Sequence, residues 1–319
     1  MNSRAVLVTG ASGFLGGSIV AALAGRGYAI HGCSRSGADV SSTTISHSID
    51  LLNPPAVQDL IARVRPSHLV MAAWTTKHGD YWFDPKNEDW VRASNVLARS
   101  FYQEGGSRLV FVGSCAEYDW SDPVLARHPI SEQDARGQPL SEYGRAKRRS
   151  AEQLAEIAAR QGGQFAEARL FFPIGPGEDP GRFIPTIITA ILCEKVANLG
   201  PANQVRDLID VRDAGAAIVM LLDGEVTGPV NIGTGVSHCL SDVARRLGEM
   251  MGRPDLIGIG AIKARANDPP MLVAKTSRLL VDVGFRPRYS LDATLLASID
   301  YWKMRRYNLS KSAAQTEAP

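Results

Sequence analysis

A tyrosine and a lysine four residues apart are the clearest chemical feature of the sequence. Tyr143 and Lys147 lie at the start of residues 141–161, where apolar and small residues recur at helical spacing. Residues at this separation share one face of a helix, so the Lys147 ammonium can lie near the Tyr143 phenol. A neighbouring cation favours phenolate and lowers the pKa of a tyrosine, which makes Tyr143 a candidate acid or base. The same spacing also occurs by chance on solvated helices. The surrounding elements must therefore show whether the pair is catalytic.

A glycine-rich turn near the N-terminus indicates a dinucleotide site. Residues 5–8 form an apolar run typical of a buried parallel strand, and glycines follow at every third position before a helical pattern begins. Glycine lets the backbone turn tightly beside a pyrophosphate, and the helix supplies amide donors and a positive dipole. The position between a strand and a helix favours a cofactor loop over a purely structural turn. The predicted cofactor contacts are Gly10, Ser12, Gly13, Phe14, Leu15 and Gly16.

The end of the second predicted strand, residues 28–33, bears on the choice of cofactor. A carboxylate at this point would pair with the adenosine ribose hydroxyls and exclude a 2′-phosphate. The sequence has Ser34, Arg35 and Ser36 instead, a guanidinium flanked by two hydroxyls, which together can bind a phosphate. We therefore expect NADP rather than NAD. The alternative is that Arg35 stacks on adenine and either cofactor binds.

Further strand and helix patterns alternate through the first half of the chain. Strands are predicted at residues 46–51, 68–73, 108–114 and 164–170, and helices at 55–65 and 89–104. Asp50 and Leu51 end one strand, where the carboxylate can accept a hydrogen bond from adenine. Ala72 and Ala73 end the next, where small side chains let a cofactor pass. This alternation predicts an α/β fold with a doubly wound parallel sheet of the Rossmann type, with ligands at the carboxyl ends of the strands.

Read in order, these motifs resemble the extended short-chain dehydrogenase/reductase family, and within it the nucleotide-sugar epimerases, dehydratases and 4-ketoreductases. The resemblance covers residues 5–301. It implies that Ser114, four residues before Tyr118 in a segment like S-S-x-x-V-Y-G, is the third catalytic residue with Tyr143 and Lys147. Ser114 would donate a hydrogen bond to the substrate carbonyl oxygen, and Tyr143 would transfer the proton. Lys147 would hold the nicotinamide ribose and tune Tyr143.

Departures from the family pattern bear on the reaction. Dehydratases of the group carry an Asp-Glu pair directly after the catalytic residue, whereas this chain has Cys115 and Ala116. Glu117 lies one position further on and is expected to point elsewhere. We therefore expect an NADP-dependent reductase of a nucleotide-activated 4-keto-6-deoxy sugar. A nucleotide-sugar 4-epimerase stays open, because it needs only the same three residues. A non-enzymatic alternative is a sensor that binds a dinucleotide without catalysis. The presence of all three catalytic residues, Ser114, Tyr143 and Lys147, argues against it.

The second half of the chain resembles the family's substrate lobe, a smaller C-terminal α/β unit. Phe172 stands where relatives have a substrate-contacting Asn, and we count it among the cofactor contacts. The resemblance assigns Arg206, in an R-D-x-x-x-V-x-D segment, and Arg265 to the diphosphate, and it assigns structural roles to Asp207 and Asp213. The aromatic segment 73–82 is expected to line the sugar pocket. The predicted substrate contacts are Lys77, His78, Cys115, Phe183, Arg206 and Arg265.

Bulk composition narrows the remaining possibilities. The 319 residues are predicted to form a dinucleotide-binding domain at 1–170, a mainly substrate-binding lobe at 171–307 with segments returning to the main sheet, and a loose tail at 308–319. A net charge of +2 gives no reason to expect nucleic acid, and no apolar run reaches the length of a membrane span. Scattered cysteines predict neither a metal site nor disulfides. No signal peptide is expected, so we expect a cytoplasmic enzyme, and the family resemblance implies a homodimer.

Overall fold

The computed structural model describes residues 4–37, 41–75, 79, 81–125, 127–263 and 268–316, with side chains as far as residue 306. The strands are β1 (Arg4–Thr9), β2 (Tyr28–Ser34), β3 (Thr44–Ser48), β4 (His68–Met71), β5 (Arg108–Ser114), β6 (Gln164–Leu170), β7 (Phe172–Ile174), β8 (Ala197–Asn198), β9 (Val205–Arg206), β10 (Leu208–Asp210), β11 (Gly228–Ile232), β12 (His238–Cys239), β13 (Ile257–Gly258) and β14 (Met271–Leu272). The helices are α1 (Phe14–Leu23), α2 (Pro54–Val64), α3 (Lys86–Gln103), α4 (Glu142–Gln161), α5 (Phe183–Leu192), α6 (Val211–Asp223), α7 (Leu240–Met250), α8 (Ser277–Val281) and α9 (Leu291–Thr316).

The centre of the fold is a seven-stranded sheet in the order β11-β6-β5-β4-β1-β2-β3, with every neighbouring pair parallel. Helices α1 and α6 cover one face, and α2, α3 and α4 cover the other. Central strands such as β4 are buried on both faces, which is why they read as continuous apolar runs in the sequence. The strand order changes direction around β1, so a crevice opens at the carboxyl ends of β1 and β4. The predicted doubly wound parallel sheet is confirmed.

The chain after β6 builds a second apolar core beside that carboxyl edge. Helices α5, α7 and α9 pack together around isoleucines and leucines such as Ile187, Leu247 and Leu295. Two small sheets accompany this core, β7 with β10 and the three-stranded β12-β9-β14. Strand β11 returns to the main sheet beside β6. The lobe therefore lies beside the carboxyl edge of the sheet, where the predicted site residues follow the strands.

Some element ends differ from the sequence-based prediction. Strands β3 and β4 end at Ser48 and Met71, so Asp50, Leu51, Ala72 and Ala73 lie in the connections that follow. The last helix continues to Thr316, whereas a loose tail was expected from residue 308. No glycine or proline interrupts residues 291–316, so nothing in that stretch ends the helix. Among the described residues no helix combines the length and apolarity needed to cross a membrane.

Candidate active site

One large cavity, of about 660 Å³, lies between the carboxyl edge of the sheet and the C-terminal lobe. Every predicted site residue that the structure describes lines it: Gly10, Ser12, Gly13, Phe14, Leu15, Gly16, Ser34, Arg35, Ser36, Asp50, Leu51, Ala72, Ala73, Ser114, Cys115, Tyr143, Lys147, Phe172, Phe183 and Arg206. The other three predicted contacts, Lys77, His78 and Arg265, lie outside the described residues. Residues predicted from separate motifs are thus brought to one place.

The glycine turn at one end of the cavity has the shape a pyrophosphate requires. Gly10 has a φ of +69° and donates its N–H to the Cys33 carbonyl at 2.9 Å. A Cβ on Gly16 would lie 2.0 Å from the Gly10 carbonyl oxygen, so only glycine allows α1 to start this close to the strand. Helix α1 begins at Phe14, directly after Gly13, where no side chain caps it, and the residues of its first turn line the cavity. The chain here fits a dinucleotide cofactor.

The adenosine end of the cavity carries a cation directly after β2. Arg35 is exposed at the rim, and the hydroxyl oxygens of Ser34 and Ser36 lie 3.4 Å apart beside it. Asp50 lies on the other side, where one carboxylate oxygen accepts the Leu52 N–H at 3.0 Å. The other oxygen can therefore accept a hydrogen bond from a base. A phosphate would meet a guanidinium and hydroxyls here.

Ser114, Tyr143 and Lys147 come together at the opposite end of the cavity. Ser114 ends β5, while Tyr143 and Lys147 lie in the first turns of α4, whose N-cap Ser141 accepts the Gly144 N–H at 3.0 Å. The helix fits closely on the turn after Ser114, because a Cβ on Gly144 would lie 2.1 Å from the Ala116 carbonyl oxygen. Lys147 Nζ donates to the Val112 carbonyl at 2.8 Å. A backbone carbonyl thus holds the Lys147 side chain, and the close fit at Gly144 holds the start of α4 on the turn after Ser114.

Burial controls the ionisation of this group. Removal from water raises the pKa of Tyr143 above its ordinary value, neighbouring Tyr81 adds to the rise, and the Ser114 hydroxyl opposes it. Removal from water also lowers the pKa of Lys147 to about 7, against the field of Glu117 and Glu167, which raise it. The expectation that Lys147 lowers the pKa of Tyr143 is therefore not met here. The physical reason is that burial by the surrounding protein disfavours both the phenolate and the ammonium.

Aromatic rings surround the Tyr143 phenol and form what we call the aromatic wall: Trp74, Tyr81, Trp82 and Trp120. The ring centroids of Tyr81, Trp82 and Trp74 lie 4.9, 5.8 and 6.2 Å from that of Tyr143, all edge-on. Trp120 packs on Trp82 at 5.7 Å, and Lys147 Nζ lies 4.0 Å from the Trp74 centroid. The wall leaves Tyr143 only 7% exposed. Apolar and C–H surfaces of a substrate can stack on this wall.

The two positions after Ser114 hold no acid. Cys115 is buried, and burial raises the pKa of its thiol to about 12, so it stays protonated. Ala116 has no side-chain proton to transfer, and its N–H donates to Ser114 Oγ at 3.1 Å. Glu117 is fully buried behind the strand, where it contacts Arg169 and is absent from the cavity lining. A carboxyl group suited to protonating a leaving hydroxyl is therefore missing at these positions.

The substrate end of the cavity carries Arg206, but its guanidinium already has partners. It donates to the Val205 and Pro269 carbonyls at 2.9 and 2.8 Å and pairs with Asp268. Its carbon Cζ lies 5.4 Å from the Phe172 ring centroid, and burial lowers its pKa. A diphosphate would share Arg206 with Asp268. The next residue, Asp207, is buried and accepts the N–H groups of Thr234, Gly235 and Ala274, which is the structural role expected of it.

The cavity is also lined by residues that were not predicted as contacts, among them Trp120, Glu178, Arg182 and Asp268. Asp268 lies three residues after Arg265, at the position of the Asp in the R-x-G-D segment of relatives, so the sequence could have indicated it as a contact. Glu178 is 4% exposed, and burial raises the pKa of its carboxyl to about 8. Nothing local in the sequence distinguishes Glu178 or Trp120 from surface residues. Within the described part of the chain, no cluster of three or more His, Cys, Asp or Glu side chains could hold a metal ion.

Comparisons with known proteins agree with this geometry. The chain is 24% identical to a UDP-glucose 4-epimerase of Rhizobium meliloti (strain 1021), over 96% of this chain and 99% of that protein. It is 23% identical to a GDP-6-deoxy-D-talose 4-dehydrogenase of Aggregatibacter actinomycetemcomitans, over 96% and 99%. The solved structure of MoeE5 in complex with UDP-glucuronic acid and NAD is similar, with a TM-score of 0.81 and 26% identity over 94% of this chain and 99% of that one. The model of the NAD dependent epimerase/dehydratase family matches residues 6–233. The family expected from the motifs is confirmed, and the chain belongs to the NAD dependent epimerase/dehydratase family.

Proposed function

We propose that the protein is an NADP-dependent reductase of a nucleotide-activated 4-keto-6-deoxy sugar. The observation that carries this proposal is a complete Ser114, Tyr143 and Lys147 set with no acid at Cys115 or Ala116. Ketone reduction needs one hydrogen-bond donor and one proton donor at the carbonyl oxygen, whereas water elimination needs a further acid and base. The site supplies what reduction needs.

Each catalytic side chain has a separate role in this reaction. The nicotinamide supplies the hydride when it is bound. The Ser114 hydroxyl donates a hydrogen bond to the carbonyl oxygen, on which negative charge develops. Tyr143, whose pKa is raised by burial, holds its proton until that oxygen becomes basic enough to take it. Lys147 binds the nicotinamide ribose and, in its charged form, favours the phenolate that Tyr143 becomes.

The proposed cofactor rests on Arg35. The cavity rim after β2 offers a guanidinium and two hydroxyls to a 2′-phosphate, with no carboxylate among Ser34, Arg35 and Ser36 to repel it. The similar structure of MoeE5 is described with NAD, so the cofactor has to be tested on this chain directly.

The apolar character of the substrate end supports a 6-deoxy sugar. The aromatic wall surrounds Tyr143, and Phe172 and Leu272 line the same cavity, with Phe172 in place of the Asn expected from the family. A methyl group at C6 gains from apolar contact, whereas a hydroxymethyl group would need a hydrogen-bond partner there. The relative from Aggregatibacter actinomycetemcomitans is named for a 4-dehydrogenase acting on a GDP-6-deoxy sugar.

A nucleotide-sugar 4-epimerase is the second candidate, because relatives aligned over nearly the whole chain carry that name. Epimerisation would use the same catalytic residues, Ser114, Tyr143 and Lys147. An epimerase returns the hydride to its substrate and consumes no reduced cofactor, so the two candidates differ in net oxidation.

The deciding experiment follows absorbance of NADPH with a panel of nucleotide 4-keto-6-deoxy sugars. Oxidation that stops in Tyr143→Phe, with a loss of about 100-fold or more, supports the reductase. The matched control is Tyr102→Phe, which loses a partly buried hydrogen bond to the Gln164 carbonyl, outside the cavity lining, and should stay active. A Tyr143→Phe variant as fast as wild type refutes the catalytic assignment. Preference for NADH, unchanged by Arg35→Ala, refutes the NADP assignment, and isomerisation without oxidation identifies the epimerase.

The homodimer and the cytoplasmic location also belong to this proposal. All four cysteines are free thiols, which fits a reducing compartment. Light scattering of the purified chain measures its mass in solution, and a mass near 34.4 kDa would exclude the dimer.

A further inference from the structure

A buried asparagine at the start of α3 joins two parts of the aromatic wall. Asn87 is 4% exposed, and its carboxamide makes three hydrogen bonds. Its Oδ1 accepts the Trp74 indole N–H at 2.8 Å. Its Nδ2 donates to the backbone carbonyls of Tyr81 and Asp84 at 2.8 and 2.9 Å. One side chain on α3 therefore holds a tryptophan that follows β4 and the backbone at Tyr81.

The hydrogen-bonding pattern around Asn87 calls for a carboxamide. An indole N–H can only donate and a backbone carbonyl can only accept, so the three partners require one acceptor and two donors on a short side chain. A leucine of similar size would leave all three partners without a hydrogen bond, and a carboxylate could not donate to either carbonyl. Because unpaired buried polar groups are unfavourable, the carboxamide favours one arrangement of the segments it joins.

A second contact from the same face of α3 supports this arrangement. Trp90 lies three residues after Asn87, and residues at this separation share one face of a helix. Its indole N–H donates to Thr75 Oγ1 at 2.9 Å, and its ring stacks on Trp74 with the centroids 5.8 Å apart. Helix α3 thus holds residues 74–75 at two adjacent points.

The rings held in this way contact the catalytic side chains. The centroids of Trp74 and Tyr81 lie 6.2 and 4.9 Å from that of Tyr143. Lys147 Nζ lies 4.0 Å from the Trp74 centroid, and a cation is attracted to the face of an indole. Asn87 itself does not line the cavity. Any effect of Asn87 on the site therefore has to pass through the rings that it holds.

We propose that Asn87 is a positioning residue of the catalytic centre: through Trp74 and Tyr81 its carboxamide holds the Tyr143 phenol and the Lys147 ammonium in place. This inference rests on the proposed function only for its effect on turnover. Without the carboxamide, Trp74 loses the acceptor that fixes its ring over Lys147. Tyr143 then loses the fixed packing of two rings of the aromatic wall.

The first test observes Lys147 itself and needs no substrate. NMR spectra are recorded on protein carrying lysine labelled with ¹³C at Cε, and the Lys147 resonance is the one missing in Lys147→Met. The ring current of an indole shifts protons above its face upfield, so the Lys147 Hε resonance of wild type should lie upfield of an exposed lysine. In Asn87→Leu it should move downfield, because Trp74 is no longer held. If Asn87→Leu does not fold, Asn87→Ala decides by the same criterion.

The matched control is Asn95→Leu on the same helix. Asn95 Nδ2 donates to Gln153 Oε1 at 2.6 Å on α4, outside the cavity lining. The control loses a side-chain hydrogen bond of the same kind and should keep the wild-type Lys147 resonance. An unmoved resonance in the folded Asn87 variant overturns the proposal. An equal shift in Asn95→Leu also overturns it, because general loosening of α3 would then be the cause.

The second test separates this inference from the proposed function. With a turned-over substrate, kcat of the Asn87 variant should fall by about tenfold or more, whereas Asn95→Leu should keep the wild-type kcat. A shifted resonance with wild-type kcat shows that turnover does not need the held rings and overturns the proposal. A shifted resonance in a protein whose wild type turns over no 4-keto-6-deoxy sugar upholds the positioning of Lys147 and refutes the reductase.

Discussion

The close fit of α4 on the turn after Ser114 gives a prediction whose size follows from the structure. In Gly144→Ala the new Cβ would lie 2.1 Å from the Ala116 carbonyl oxygen and 2.9 Å from Pro139 Cβ, whereas real contacts of this kind stay above about 3.0 Å. The start of α4 must therefore retreat by about 0.9 Å. Tyr143 is the preceding residue and moves with it, while Ser114 stays with β5.

A displacement of about 1 Å at a reacting group costs about 100-fold in rate, so kcat/KM for ketone reduction should fall by that factor. Overpacking should lower the free energy of unfolding by about 1–3 kcal/mol. Turnover is followed by NADPH absorbance and stability by urea denaturation. If urea denaturation shows that Gly144→Ala is still folded under the assay conditions, the loss of rate comes from the displaced Tyr143.

The control is Gly162→Ala at the C-terminal end of the same helix. Gly162 has a φ of +68° and no atom within 4 Å of its virtual Cβ, so alanine there should cost about 1–2 kcal/mol of stability from backbone strain alone. Its activity should match wild type. Equal activity of Gly144→Ala and Gly162→Ala at similar stability would refute the reasoning that α4 positions Tyr143.

Two further predictions concern buried polar groups. Burial raises the pKa of the Glu178 carboxyl from 4.5 to about 8, so between these values the folded protein keeps a proton that the unfolded chain has released, and this contribution to stability falls as pH rises through the range. The free energy of unfolding of Glu178→Gln, relative to that of wild type, should therefore rise by about 1–3 kcal/mol between about pH 5.5 and pH 8.5 in denaturant titrations. A difference that does not change with pH would contradict the raised pKa of Glu178. Tyr118→Phe leaves the buried Asn231 Oδ1 without its donor and should cost about 1–3 kcal/mol of unfolding free energy. The exposed Tyr289→Phe is its control and should change stability by less than about 0.5 kcal/mol; equal losses in the two variants would show that the Tyr118 hydroxyl is unimportant.

Local signals were enough to predict the sheet and its ligand edge. The strand β5 and the helix α4 have almost the predicted bounds, because apolar periodicity is read from neighbouring residues. The glycine turn also carries its reason locally: Gly16 lies against the Gly10 carbonyl, six residues away. Residues predicted from such signals converge on one cavity because parallel strands end at one edge.

Contacts between segments that are far apart in the sequence could not be predicted from local patterns. Arg206 pairs with Asp268 across 62 residues, and Trp120 joins the aromatic wall through a loop with no periodic pattern. The ionisation of Tyr143 was misjudged for the same reason. Helical spacing placed a cation beside it, but burial raises its pKa, and the rings of Tyr81 and Trp82 that pack on it lie 62 and 61 residues earlier in the chain.

The aromatic wall also makes the protein its own optical reporter. Four of the five tryptophans in the chain, Trp74, Trp82, Trp90 and Trp120, line the cavity, and Trp302 lies in the core of the lobe. Indole emission overlaps the absorption band of reduced nicotinamide, so a reduced cofactor in the cavity should quench most of the intrinsic fluorescence by energy transfer. Occupancy can thus be followed without label or substrate, and variants that bind but do not react can be told from those that do not bind.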